Sequence, residues 1–266
     1  MPQARQEFRI LILAALPQEY SPLKRLIPSW RRIQRRPFAK FAVNLPGKEV
    51  ILAECGMGPK SAGKVLEAEL ASFNPDLVIF SGFAGGLHPD LKVGIVCFVT
   101  SAGRVNADAV FDFSVPDAIA HFLAQNHIRP VLAISATAPG DKRALSALAC
   151  GQPAVLDMET SMIAEAALHH GIPFICFRAV SDAVGDELGF NLGAITDGRG
   201  RVRLAGVLAA VIRKPSTVKA FYLSWRRSRL AAGNLCRSID AFLKVPVPVL
   251  GRLTCEIRIE RRTRCF

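Results

Sequence analysis

The stretch that decides the fold is Leu156–Asp186, with the sequence LDMETSMIAEAALHHGIPFICFRAVSDAVGD. Acidic residues stand near both of its ends, in Asp157-Met158-Glu159 and in Ser181-Asp182, and an apolar helix is predicted between them. The apolar run 173–180 then predicts a buried strand that ends at Ser181-Asp182. Open α/β sheets bind ligands just beyond the carboxyl ends of their strands. Asp182 is therefore the best single candidate for a catalytic side chain.

The composition predicts one large α/β domain, because half of the 266 residues are hydrophobic. Apolar runs of 18 residues or more are absent, so we expect no membrane-spanning helix. The first eight residues lack the apolar stretch and cleavage site of a signal peptide. Seven cysteines stand singly, without the spacing of a zinc site. These features together predict a cytoplasmic protein without a bound metal.

The charge is concentrated near the C-terminus. Residues 1–200 contain 19 basic and 19 acidic residues, whereas residues 201–266 contain 15 basic and 3 acidic residues, which accounts for the net charge of +12. A neutral body with a basic tail argues against nucleic-acid binding as the main activity. It favours peripheral contact of the tail with an anionic partner such as the inner face of a membrane. The alternative is a solvated helix face without a partner.

Strand and helix patterns alternate along the chain, which predicts a three-layer α/β/α fold with a central mixed sheet. We expect the catalytic domain to occupy residues 1–200. A basic helical extension is predicted over residues 201–245, packed on or beside that domain, with helices over 202–212 and 217–243. Residues 246–266 contain two prolines and charged side chains, and we expect them to be loosely ordered.

Six short motifs occur along the first 190 residues in an order that resembles one known superfamily. The motifs are LILAALPQE at Leu11–Glu19, ECGMGP at Glu54–Pro59, SGFAGGL at Ser81–Leu87, KVG at Lys92–Gly94, LDMET at Leu156–Thr160 and RAVSD at Arg178–Asp182. Their order and spacing are similar to those of the nucleoside phosphorylases and the methylthioadenosine/S-adenosylhomocysteine nucleosidases. A chance match to one motif is easy, but a chance match to all six in register is not.

The resemblance implies a role for each matching residue. Asp182 would hydrogen-bond or protonate N7 of a purine, with Ser181 and Arg178 orienting it. Met158 would pack on the sugar, and Glu159 would bind the 2′- and 3′-hydroxyls. The remaining residues that the resemblance implies for substrate binding are Phe83, Ala84, Gly85 and Gly58. In the nucleosidases, a glutamate at the position of Glu19 activates the attacking water.

These residue types suit the breaking of an N-glycosidic bond. Positive charge develops on the sugar and negative charge on the base, so a carboxylate near the sugar and an acid near the base would stabilise the transition state. Taken alone, Asp182 could instead cap a helix, and Glu159 could stabilise a helix dipole. Within the full set of motifs, the catalytic interpretation is favoured.

Glu19 distinguishes hydrolysis from phosphorolysis. The loop 15–20 contains no basic residue that could bind phosphate, and Lys24 and Arg25 come one turn later in the predicted helix. We therefore favour water as the nucleophile, without a cofactor. Phosphate would be the co-substrate if the protein were a phosphorylase instead.

Two departures affect the substrate. The nucleosidases place an aromatic residue in the loop after the predicted strand 131–134, whereas this chain has Ser135-Ala136-Thr137-Ala138-Pro139 there. The segment 200–243 resembles the hopanoid-associated branch, whose members remove adenine from adenosylhopane. We therefore predict an adenosylhopane nucleosidase that acts on a lipid-linked nucleoside and forms a homo-oligomer. The alternatives are a methylthioadenosine/S-adenosylhomocysteine nucleosidase, a purine nucleoside phosphorylase, and a membrane-associated nucleoside-binding module without catalysis.

Overall fold

The computed structural model describes residues 7–136, 142–186 and 217–263, with side chains from Tyr222 onward in the last range. The strands are β1 Phe8–Ala14, β2 Arg31–Gln34, β3 Lys40–Leu45, β4 Lys48–Glu54, β5 Leu77–Gly86, β6 Val96–Arg104, β7 Ala109–Phe113, β8 Arg129–Ser135, β9 Ala154–Asp157, β10 Phe174–Asp182 and β11 Ile259–Thr263. The helices are α1 Pro17–Leu26, α2 Pro59–Phe73, α3 Asp117–Gln125, α4 Lys142–Leu148, α5 Thr160–His169, α6 Thr217–Leu243 and α7 Val247–Glu256. This alternation matches the predicted pattern.

One mixed sheet runs through the molecule in the order β11-β7-β6-β8-β9-β5-β1-β4-β3-β2. Strand β10 pairs in parallel with β5 and antiparallel with β6. In the sheet, β6 pairs with β8, β8 with β9 and β9 with β5, so β10 closes a ring of strands at this end. A closed ring has no free edge there. Because β1, β5 and β10 pair in parallel, their carboxyl ends face one common region.

Helices cover both faces of the sheet. Apolar side chains of α1, α3, α6 and α7 pack in one buried cluster against one face, and those of α2 and α5 pack in a second cluster against the other. The prediction of a three-layer α/β/α fold with a central mixed sheet is therefore confirmed.

Strand β5 is longer than the sequence indicated. The pattern predicted a strand over 77–80 followed by a glycine-rich loop, but β5 continues to Gly86. The reason is that Gly82–Gly85 pair with β10, and Gly85 and Gly86 pair with β9. The glycine-bearing motif thus lies on a rigid strand between two neighbours.

The C-terminal extension packs on the catalytic domain. Helix α6 spans Thr217–Leu243, as predicted, and its inner face belongs to the same buried cluster as β1 and β5. The fully buried residues on that face are Ala231, Leu235, Cys236, Ile239 and Phe242. The predicted helix 202–212 lies outside the described residues.

The expectation that residues 246–266 are loosely ordered is wrong for the described part of that segment. Helix α7 buries Leu250 and Leu253 against the first cluster, and Ile257 is buried beside them. Strand β11 then pairs antiparallel with β7 along the outer edge of the sheet. The sequence did not predict this strand, because its charged residues occupy exposed positions at the edge of the sheet and break the apolar pattern.

Candidate active site

Glu19 lies at the carboxyl end of β1, in the first turn of α1, and is buried. One carboxylate oxygen accepts a hydrogen bond from the backbone N–H of Leu16 at 2.9 Å, and the other accepts one from the N–H of Phe83 at 2.9 Å. Burial raises the pKa of this carboxyl group, while the two backbone N–H groups and Arg178 oppose the rise. A carboxylate held in this way suits a general base.

Glu159 follows β9 and is also buried. It accepts a hydrogen bond of 2.7 Å from the backbone N–H of Gly58, which ends the loop after β4. Gly58 has a φ of 93°, a conformation that favours glycine and that directs its N–H at the carboxylate. Burial and the neighbouring Asp157 raise the pKa of Glu159 to about 7. Two loops that are distant in the chain therefore meet at this carboxylate.

Arg178 lies beneath these acids and is 1% exposed. Its guanidinium forms an ion pair of 2.6 Å with Asp157, donates a hydrogen bond of 2.7 Å to Oγ1 of Thr160, and stacks over the ring of Phe80. Burial opposes the charged form, but Asp157 outweighs it and raises the pKa of the guanidinium. The charge of Arg178 is thus paired within the protein, where it anchors the loop after β9, and its implied orienting role stays a prediction.

Gly82 is the point where β5 allows Arg178 and Glu19 to approach. A Cβ atom at this position would lie 2.4 Å from Nη1 of Arg178 and 2.9 Å from Oε1 of Glu19. A side chain here would collide with both charged groups. Gly82, the first glycine of the SGFAGGL motif, is therefore required for the close packing of the site.

Asp182 ends β10 beside Gly85 of β5, where the register shifts. Ser181 donates a hydrogen bond of 2.6 Å to one oxygen of Asp182. The other oxygen forms an ion pair with Lys142 of α4. Sequence reasoning missed Lys142, because α4 lies 40 residues before Asp182 and the pairing depends on how the chain folds back. The motif analysis offered no signal for it.

The other predicted residues lie between the acids. Phe83 and Gly85 of β5 and Met158 after β9 are half-buried, whereas Ala84 is buried. Glu19 is close enough to Glu159 to raise its pKa, and Asp182 lies opposite Gly85 of β5. Residues 137–141, which include most of the loop that lacks an aromatic side chain, lie outside the described residues. Within the described ranges, no group of His, Cys, Asp or Glu could hold a metal ion.

Residues 9–213 match the family described as the Phosphorylase superfamily. The match covers more than half of the chain, so the chain belongs to this superfamily.

Two relatives carry the same activity name. The 5′-methylthioadenosine/S-adenosylhomocysteine nucleosidase of Chromohalobacter salexigens is 25% identical over 232 residues, which cover 79% of this chain and 98% of the relative. The enzyme of that name from Bacillus licheniformis is 30% identical over 164 residues, which cover 53% of this chain and 71% of the relative. These relatives confirm the prediction of an N-glycosyl hydrolase.

Solved structures share the fold. The 5′-methylthioadenosine/S-adenosylhomocysteine nucleosidase of Helicobacter pylori superimposes with a TM-score of 0.69 at 16% identity, covering 90% of this chain and 99% of that one. Futalosine hydrolase of the same organism superimposes with a TM-score of 0.69 at 15% identity over the same shares. At this identity the likeness concerns the fold alone.

Proposed function

We propose that the protein is a purine nucleosidase that releases adenine from an adenosyl compound. The observation that carries this proposal is that Glu19 and Asp182 both flank β5, at Phe83 and Gly85, and that Glu19 lies close enough to Glu159 to raise its pKa. Three carboxylates with different environments suit three tasks in one reaction. The naming of the relatives as methylthioadenosine/S-adenosylhomocysteine nucleosidases supports the adenosyl group as the substrate class.

Glu159 would bind the sugar and Glu19 would activate water. The ionised carboxylate of Glu159 can accept hydrogen bonds from two sugar hydroxyls, and its negative charge favours the positive charge that develops on the sugar. Glu19 is held by two backbone N–H groups, so it can take a proton from water without a change of position.

The base would lie toward Asp182 and Gly85. When the bond from C1′ to N9 breaks, its electron pair goes to the purine, and a proton at N7 makes the purine a better leaving group. The water oxygen then bonds to C1′, and the water proton goes to Glu19.

The ion pair of the buried Arg178 favours hydrolysis over phosphorolysis. Arg178 is paired with Asp157 and hydrogen-bonded to Thr160, so its charge is already neutralised. A phosphate at this position would have to compete with Asp157 for the guanidinium. Water has no such requirement.

The finer proposal is that the substrate carries a lipid, as adenosylhopane does. A groove of about 570 Å³ runs between α1 and α6, next to the turn that carries Glu19. Its lining includes the apolar side chains of Leu26 and Trp225 together with Arg25, Arg229 and Arg237. An apolar chain attached to the sugar would find both apolar surface and a route toward the outside along α6.

The exposed face of α6 would rest on an anionic membrane. Tyr222 and Trp225 are about half exposed, with the guanidinium groups of Arg226 and Arg229 placed over their rings at 5.9 and 4.7 Å. Aromatic side chains beside arginines are typical of helices that lie in the membrane interface. None of the helices in the described ranges is long and apolar enough to cross a bilayer.

The activity is tested by measuring adenine release from methylthioadenosine and from adenosylhopane, with and without phosphate. We expect release without phosphate and a free sugar as the second product. A strict requirement for phosphate, with a sugar 1-phosphate as the product, would overturn hydrolysis. Equal or better turnover of methylthioadenosine would contradict the lipid-linked substrate.

Membrane contact is tested by co-sedimentation with phosphatidylcholine vesicles that do or do not contain phosphatidylglycerol. We expect binding only to the anionic vesicles, and loss of binding in the double variant Arg226→Gln/Arg229→Gln. The control is Arg129→Gln/Arg261→Gln, which removes the same charge from exposed positions elsewhere. If the wild type binds no vesicles and Arg226→Gln/Arg229→Gln changes the oligomeric state, the exposed face of α6 is a subunit contact and the membrane proposal fails.

A further inference from the structure

A cavity of about 500 Å³ lies between α1 and β2. Its volume is in the range of pockets that bind small molecules. Among the described residues, those that line the cavity include three cations and no acid. The cations are Lys24 of α1, Arg32 of β2 and Arg35, which follows β2. The nucleosidase chemistry proposed above uses none of them.

Two of these cations share one aromatic wall. Phe41 of β3 is 4% exposed, and the ammonium group of Lys24 lies 4.1 Å from the centre of its ring. The guanidinium carbon of Arg32 lies 5.3 Å from the same ring centre, and the ammonium group of Lys24 is also 5.2 Å from the ring of Tyr20. The faces of aromatic rings attract cations. The rings therefore hold both cations in place without supplying a negative charge.

A change of register in β2 brings the third cation to the same cavity. In a regular strand, Arg32 and Arg35 would lie on opposite faces, because successive side chains alternate. Arg32 pairs with Phe41 of β3, and Gln34 pairs with the residue before Phe41, so β2 contains one extra residue. Such a bulge redirects the side chains that follow it. Arg35 thus lines the cavity together with Arg32.

The acid that acts on Lys24 does not balance the positive charge of the cavity. Glu54 is buried and accepts a hydrogen bond of 2.9 Å from the hydroxyl of Tyr20. Burial and repulsion by Arg32 lower the pKa of Lys24, and the attraction of Glu54 opposes them only in part. An anion in the cavity would therefore stabilise the charged form of Lys24.

We propose that this cavity binds a phosphate group, supplied either by free phosphate or a soluble phosphate ester, or by the headgroup of an anionic lipid. The guanidinium groups of Arg32 and Arg35 offer forks of N–H donors that match phosphate oxygens, and Lys24 adds a compact positive charge. A phosphate monoester carries a charge of about −1.5 to −2 at pH 7, which suits three cations better than the single charge of a carboxylate does.

The soluble source is tested by equilibrium dialysis against radiolabelled inorganic phosphate, at constant ionic strength set with chloride. We expect the wild type to bind phosphate. Arg32→Gln/Arg35→Gln should bind it at least about tenfold more weakly, because a hydrogen bond to a charged group contributes at least this factor.

The matched control is Arg31→Gln/Arg36→Gln. It removes the same charge from exposed residues of the same segment that do not line the cavity. Because salt screens exposed charges that make no direct contact, this control should bind phosphate within about threefold of the wild type. Thermal unfolding without phosphate should give the same midpoint for the wild type and both double variants, since all four arginines are exposed.

The lipid source is tested by co-sedimentation with phosphatidylcholine vesicles that contain phosphatidylglycerol. If only this assay shows weaker binding of Arg32→Gln/Arg35→Gln than of Arg31→Gln/Arg36→Gln, the cavity takes a lipid headgroup. If only dialysis separates the two variants, the cavity takes free phosphate or a soluble ester. If both assays separate them, the two sources share the site.

The half-buried wall of the cavity is tested by Lys24→Gln. In the assay that detects binding, we expect this variant to bind at least about tenfold more weakly than the wild type. Lys64→Gln, at an exposed position of α2, is the control and should bind as the wild type does. Equal binding by Lys24→Gln and Lys64→Gln would contradict a site built from three cations.

The whole proposal is overturned if neither assay separates the two arginine double variants. It is also overturned if the wild type binds neither phosphate nor the anionic vesicles. Both outcomes are independent of adenine release, so they leave the proposed nucleosidase function to its own test.

Discussion

At the scale of single residues, each buried acid of the site is held by groups from other elements. Glu19 is positioned by backbone N–H groups of its own helix and of β5, and Glu159 by the N–H of Gly58. Motif recognition predicted these residues, because the residue types and spacing carry the information. It could not predict the ion pairs of Asp182 with Lys142 and of Asp157 with Arg178, because these partners are set by folding.

Glu19→Gln should lower kcat by about 10²–10⁴-fold, the usual range for the loss of a general base. The amide keeps the shape of the side chain, but its NH₂ group would face one of the two backbone N–H donors and could not take a proton from water. Steady-state adenine release measures the effect. Glu67→Gln, at an exposed position of α2, is the matched control. A rate within a factor of three of the wild type would show that Glu19 does not activate water.

The raised pKa of Glu159 predicts how stability depends on pH. Its ordinary value is 4.5 and its value in the folded protein is about 7. Between these values the folded chain binds more protons here than the unfolded chain, so the free energy of unfolding should decrease as the pH rises through this window. Urea denaturation at several pH values should show a weaker decrease in Glu159→Gln. The control Glu165→Gln, at a partly exposed position of α5, should behave as the wild type. Equal slopes in all three proteins would contradict the assignment.

The same group predicts the acid side of the activity profile. Glu159 binds sugar hydroxyls best as a carboxylate, so kcat/KM should fall as the pH decreases below about 7. The profile of kcat/KM against pH, measured with methylthioadenosine, checks this. A constant kcat/KM down to pH 5 would exclude Glu159 as the titrating group.

At the scale of elements, the site depends on β5 passing close to the charged groups. The prediction of a glycine-rich loop was only half right, since the motif lies within a strand that pairs on both sides. Glycine patterns predict a close approach or a turn equally well. The choice between them depended on strands β9 and β10, whose pairing no local pattern records.

Gly82→Ala should destabilise the fold by about 1–3 kcal/mol, because the added Cβ atom overlaps Arg178 and Glu19. Activity should fall more steeply than stability, since both neighbours would have to move. Gly63→Ala is the matched control: it lies in α2 with no atom within 4 Å of an added Cβ, and it should stabilise by about 0.5–1 kcal/mol. Chemical denaturation measures both changes, and equal effects would contradict the close packing at Gly82.

At the scale of the whole molecule, α6 connects the basic extension to the catalytic residues. The Sγ atom of Cys236 lies 3.1 Å from the carbonyl oxygen of Glu19, and the neighbouring residues of α6 complete the core beneath α1. The apolar spacing of α6 was visible in the sequence. Its partner was not, since an amphipathic helix pairs equally well with its own domain, a second subunit or a membrane.

Leu235→Ala should destabilise the protein by about 2–5 kcal/mol, because Leu235 is fully buried between α6 and the sheet. Leu223→Ala, on the same helix but 39% exposed, should change stability by less than about 0.5 kcal/mol. Urea denaturation followed by circular dichroism compares the two. Equal and small effects would mean that α6 is dispensable for the fold.

The sequence by itself determined the α/β alternation, the superfamily and the acidic residues of the site, because these follow from local periodicity and from short motifs with characteristic spacing. The tertiary structure decided which charged groups form ion pairs. It placed Asp157 on Arg178 and Lys142 on Asp182, and it packed α6 and α7 into the core. The physical reason is that ion pairs and buried contacts depend on distances between segments far apart in the chain, which only the closed ring of strands brings together.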